Sequence, residues 1–215
     1  MSENLFEIQY DVTKKHRLKK FYNENKILIF SVLLFFLISI FSFGYYFETK
    51  KNKKIILANS YIEAKAFLLN DEKEKAKNVL KAIIDNNGGT YSVLSLFLII
   101  DENLITENAE LVELFDRILE NNEFEEEIKN LIIFKKTLLH SNFANERDLF
   151  QTAEPLISNE TIWKPHVLML FGDYFSSKNE YSKAREYYNQ VLSSKNVHVE
   201  LYEQVRLKLT LISND

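Results

Sequence analysis

The chain has 215 residues, 46% apolar and 27% charged, with only 4 Gly, 2 Pro and no Cys. So few turn residues exclude a sandwich or barrel of many short strands and a phosphate-cradling glycine loop, and the missing thiols exclude disulfides, thiolate zinc sites and a thiol nucleophile. Residues 1–26 hold six Lys/Arg against four acids, but the chain after residue 47 has 21 basic and 27 acidic residues, which argues against nucleic acid as its partner.

Residues 1–26, with Lys14, Lys15, Arg17, Lys19, Lys20 and Lys26, read as a short N-terminal segment, weakly biased by its charge toward the cytoplasmic side. Ile27 to Phe47 then runs without a charge (ILIFSVLLFFLISIFSFGYYF). At about 1.5 Å per residue a helix there reaches roughly 31 Å, the hydrocarbon thickness of a bilayer. Aromatics stand at both edges, Phe21 and Tyr22 before and Tyr45, Tyr46 and Phe47 after, where amphipathic rings meet the headgroups. The run ends in Tyr-Tyr-Phe-Glu instead of small residues, so it reads as an uncleaved transmembrane anchor rather than a signal peptide. Residues 48–54 form a basic juxtamembrane linker with Lys50, Lys51, Lys53 and Lys54. Because these crowd the downstream side, the positive-inside rule favours a cytoplasmic N-terminus only weakly.

Residues 55–215 repeat apolar positions at spacings of three and four, as in Ala76, Val79, Leu80 and Ile83, the period of a helix with one buried face. Seven short polar breaks separate the segments: 70–71, 86–89, 121–122, 142–145, 158–159, 178–179 and 194–196. In the last third, Gly172, Phe175, Ala184 and Tyr188 have the spacing of a tetratricopeptide repeat. There a small residue marks a close helix crossing, a second follows twelve positions on, and a large ring four later packs back between the helices. Ala64, Phe67, Ala76 and Leu80 repeat the pattern. Weaker copies centre on Leu111 and Leu149, and the second-helix anchors Ala76, Leu111, Leu149 and Ala184 stand 35, 38 and 35 residues apart. Pro155 predicts a kink or early helix end, and Pro165 a helix start. His198 to Ile212 predicts a helix covering the last repeat. The expected fold is all-α: an N-terminal transmembrane helix, a tetratricopeptide-like α-solenoid of about four helical hairpins, and a C-terminal capping helix.

The layout resembles the ancillary SecYEG translocon subunit family, single-span proteins with a tetratricopeptide-like domain. The likeness lies in Lys20-Phe21-Tyr22-Asn23-Glu24-Asn25-Lys26 entering the anchor that ends in Gly44-Tyr45-Tyr46, and in Thr90-Tyr91-Ser92-Val93-Leu94-Ser95-Leu96 opening the second hairpin. It continues in Trp163 with Leu168, Gly172-Asp173, Lys178 and Ala184-Arg185. The resemblance implies a bacterial inner-membrane protein with a cytoplasmic N-terminus and a periplasmic helical domain. Its implied partners are the SecYEG channel and a membrane-anchored periplasmic chaperone. The Lys50–Lys54 cluster and the degenerate central repeats depart from the family pattern.

No motif of a metal site, nucleotide loop or nucleophile elbow is present; His16, His140, His166 and His198 are isolated in sequence. The acid run Glu123 to Glu127 reads as a solvated first turn complementing a helix dipole. The expectation is therefore a noncatalytic protein with no cofactor, metal or small-molecule substrate, whose partners are the lipid bilayer and other proteins. Stacked hairpins expose a concave face of first-helix residues, which should include Tyr61, Lys65 and Leu68 in the first hairpin and His166, Met169 and Asp173 in the last. An envelope organiser of cell division or outer-membrane assembly, using the same scaffold, is the alternative function.

Overall fold

The computed structural model describes the backbone of residues 3–195 and 197–213 and the side chains of residues 19–195 and 197–212. The side chains of Lys14, Lys15, His16 and Arg17 lie outside these, and Asn196, in the last expected break, lies outside the described residues. The chain divides into two compact units, Met1–Ile56 and Leu57–Asp215. Among the described residues every element is a helix.

In the first unit, α1 (Glu3–Leu69) has one residue with non-helical dihedrals, Asn25. Its side-chain amide donates to the Phe21 carbonyl at 3.0 Å, the local competition with helix geometry in which asparagine engages. After it, most Leu, Ile and Phe side chains of 27–47 are exposed; Ile27 is 77% and Phe41 75% exposed. This helix is the one element, among the described residues, long and apolar enough to cross a membrane. Two of its hydroxyls turn inward: that of Ser31 donates to the Ile27 carbonyl and that of Thr49 to the Tyr45 carbonyl, each at 2.9 Å. Such bonds remove the penalty of an unpartnered hydroxyl in hydrocarbon.

The second unit starts within α1 and continues through α2 (Lys73–Asp85), α3 (Thr90–Asp101), α4 (Asn108–Asn121), α5 (Glu126–His140), α6 (Glu146–Ile157), α7 (Lys164–Ser177), α8 (Tyr181–Ser193) and α9 (Val199–Ser213). Ala76, Leu111, Leu149 and Ala184 sit on α2, α4, α6 and α8, the second helices of four hairpins, and all four are buried. The main contacts join helices one or two apart in the chain, such as α5 with α6 and with α7. That neighbour-only pattern defines a solenoid. The core has two parts, one from Leu57 to Ile132 and one from Ile133 to Ile212, with Leu119 against both.

Three hairpin turns use the same device. Asp71, Asn103 and Asn179 each adopt positive φ (59°, 50° and 63°). The next residue's N–H reaches back to close the helix: Glu72 to the Phe67 carbonyl at 2.8 Å, Leu104 to Ile99 at 2.9 Å, and Glu180 to Phe175 at 2.9 Å. This is the Schellman cap, which favours Gly or Asn at the left-handed position. The α5–α6 turn instead relies on Asn145, whose side chain caps α6 by accepting from the Asp148 N–H at 3.0 Å.

Two local expectations need correction. The connection 102–107 is an eighth break that the polar-break reading passes over, because Leu104 and Ile105 continue the apolar spacing; both are buried within the loop itself. Of the acid run, only Glu126 and Glu127 lie in a first turn, that of α5; Glu123 and Glu125 precede it. Pro155 sits inside α6, which ends two residues later at Ile157, and Pro165 lies in the first turn of α7.

Candidate partner-binding surface

The fourth hairpin shows how tightly its helices cross. A Cβ on Gly172 would come within 2.3 Å of the Tyr188 ring, a clash that only glycine avoids in this packing. Phe175, Ala184 and Tyr188 are all buried here, and in the first hairpin so are Ala64, Ala76 and Leu80, with Phe67 half-buried against them. Lys75 places its ammonium 5.5 Å from the centre of the Phe67 ring. Phe150, Phe171 and Tyr187, which the spacing did not indicate, join Phe175 in the seam between α6, α7 and α8: Phe150 lies 4.3 Å from Phe171, and Phe175 stacks on Tyr187 at 5.4 Å.

The six candidate binding residues fall into two separate sets, on α1 and α7. Tyr61 is half-buried, its ring 6.1 Å from Tyr91, and burial, then the charge of Asp101, raises its phenol pKa. Lys65 is exposed. Leu68 is half-buried against the first part of the core, and Met169 against the second. His166 lies 5.8 Å from Trp163 and 6.0 Å from Phe134; burial, then nearby His198, lowers its pKa. With Ile162, Trp163, Pro165, Val197, His198 and Leu201 it lines a concavity of about 240 Å³. Asp173 is occupied internally: it accepts from the Tyr188 hydroxyl at 2.6 Å and pairs with Lys208 at 2.8 Å, linking α7 to α8 and α9. Burial, then that hydrogen bond, raises the Tyr188 phenol pKa.

Between these sets, the first helices α3 and α5 form a groove that sequence spacing did not reveal. Phe97, Ile100, Asp101, Lys135, Leu138 and Leu139 enclose about 310 Å³, and Lys135 lies 5.8 Å from the centre of the Phe97 ring. Leu94 and Leu138, on the same helices, are 39% and 40% exposed. The signal in the sequence was that α3 (TYSVLSLFLIID) is apolar around its circumference, more than one buried face requires. An apolar groove with one acid and one base suits an apolar or amphipathic peptide better than a reacting small molecule.

A more polar concavity of about 460 Å³ lies between α5 and α6, lined by Lys136, His140, Asp148 and Thr152 among others. The Thr152 hydroxyl and His140 Nδ1 are 2.9 Å apart, and Lys136 pairs with Asp116 at 2.5 Å. Burial, then the charge of Lys136, lowers the His140 pKa, opposed by Asp116 and Asp148. Among the described residues no group of three or more His, Cys, Asp or Glu side chains is placed to hold a metal ion.

The family model described as "Tetratricopeptide repeat-like domain" matches residues 19–214. No curated protein and no solved structure matches the chain. The chain belongs to the tetratricopeptide repeat-like domain family.

Proposed function

We propose that the chain is a membrane-anchored, noncatalytic scaffold that works beside the SecYEG secretion channel and links it to a membrane-anchored periplasmic chaperone. The observation that carries the reading is the joining of two features in one chain: a charge-free helix over 27–47 and a solenoid whose first helices leave an apolar groove open. The family match begins at residue 19, so the apolar helix falls within it. Repeat domains of this type are protein-interaction scaffolds, and a lipid anchor confines contacts to two dimensions, where weak affinities act at high effective concentration. The N-terminal segment is cytoplasmic and the repeat domain periplasmic in this proposal, the orientation the family resemblance carries.

The test is site-specific photocrosslinking in intact cells from Phe97 and Leu138 in the groove and from Phe30 and Phe41 in the apolar helix. Channel subunits captured by the helix positions and a chaperone captured by the groove positions are the expected products. Capture of division or outer-membrane assembly proteins at both sets would replace this reading with that of an envelope organiser.

A further inference from the structure

The downstream edge of the apolar helix carries a charge pattern that neither anchoring nor repeat packing uses. Lys50, Lys51, Lys53 and Lys54 are all exposed, and none has an ion-pair partner among the described residues. On the other edge Lys20 is paired with Glu24 at 3.8 Å. At 100° per residue the four downstream lysines share an arc of about 160°, with Glu48 and Asn52 on the other side of the helix. Beyond residue 54 the chain has 17 basic and 26 acidic residues, so the lysines are a cationic collar on an otherwise acidic region.

Depth selects the ligand. Tyr45, Tyr46 and Phe47 mark the interface, and at about 1.5 Å per residue Lys50 lies about 4.5 Å beyond Phe47 and Lys54 about 10 Å. The headgroup layer is roughly 5–7 Å thick, and the lysine stem lets each ammonium move toward the phosphate plane. All four charges thus lie within about one Debye length of the lipid phosphates.

We propose that Lys50, Lys51, Lys53 and Lys54 form a clamp for anionic phospholipid headgroups in the leaflet where the apolar helix ends. The clamp rests on the membrane-spanning reading above. It recruits acidic lipid around the anchor and offsets the repulsion between an anionic leaflet and the acidic region that follows. Each lysine near such a surface changes partitioning on the order of fivefold.

The full chain, reconstituted in nanodiscs of phosphatidylcholine with 30 mol% phosphatidylglycerol, tests this by electron spin resonance of spin-labelled lipids. The wild type should select labelled phosphatidylglycerol over phosphatidylcholine several-fold, and 0.5 M NaCl should abolish the selection. Combining Lys50→Gln, Lys51→Gln, Lys53→Gln and Lys54→Gln should bring it close to parity. The four Lys→Arg changes should restore it, and Lys19→Gln with Lys20→Gln and Lys26→Gln should leave most of it. Glutamine keeps helix propensity at exposed positions, so folding is preserved. Equal association of both lipids with wild type, or selection that survives the four glutamines, overturns the clamp. Displacement of the glycerol lipid by 10 mM inorganic phosphate overturns the lipid as the source of the phosphate. Stable incorporation into pure phosphatidylcholine discs without selection refutes the clamp alone, whereas failure to enter any bilayer refutes the anchor and the clamp together.

Discussion

Residues 27–47 and the helices from Leu57 onward draw on the same apolar side chains, yet the first set faces outward and the second inward. In the repeat domain, polar residues interrupt the apolar ones at helical spacing in most helices, α3 excepted, so those helices have a wet face and must bury the other. The 27–47 helix has no charged face and its apolar side chains are exposed, a pattern that suits hydrocarbon as the surrounding solvent. The difference teaches that patterning, more than composition, separates a helix left apolar and exposed from one that buries a single face.

The sharpest way to break this contrast is to place one disruptive side chain in each environment. Leu37→Arg, at the middle of the apolar helix, should disfavour membrane insertion by about 3–4 kcal/mol. Carbonate extraction should show a smaller membrane-retained fraction, while the melting midpoint of the repeat domain stays unchanged. In the repeat domain, size matters as much as charge. Gly172→Val drives methyl groups into the Tyr188 ring and should destabilise the domain by about 2–3 kcal/mol. Calorimetry should then find the midpoint lower by roughly 5–10 °C, with membrane retention unaffected.

Smaller effects sharpen the picture within the domain. Tyr188→Phe removes the bond to Asp173 and should lose about 1.5 kcal/mol, read by urea denaturation. Because Lys208 still pairs with Asp173, the carboxylate keeps a partner and the loss should be less than for Gly172→Val. The mildest effect concerns pH. Burial lowers the pKa of both His140 and His166, so the folded domain favours the neutral rings. Their contribution is complete above the ordinary imidazole value near 6.5 and is lost as pH falls below it. The midpoint should therefore fall between pH 7.5 and 5.5, and His140→Gln should flatten that fall.

The features legible in the sequence were those written in consecutive residues or in one fixed interval. The 27–47 run is contiguous, and the twelve-residue interval from Gly172 to Ala184 follows from two helices meeting at a single close crossing. The break at 102–107 was illegible because Leu104 and Ile105 imitate a continuing helix. Its signal was Asn103, the counterpart of Asp71 and Asn179 at the left-handed cap. The α3–α5 groove was illegible for another reason: Phe97 and Lys135 are far apart in the chain, and only stacking brings them together. The same holds for Asp173, whose two internal partners come from α8 and α9 and cannot be read from its own helix.

The native chain contains no cysteine, so a single introduced thiol reports its location without background. Lys65→Cys places one at an exposed site in the repeat domain, and labelling it with a membrane-impermeant maleimide in intact spheroplasts tests the anchored, outward-facing arrangement most directly. Full labelling before lysis is the expected result, with the labelled protein retained in carbonate-washed membranes. Labelling only after lysis, or recovery of the protein in the soluble fraction, would contradict it.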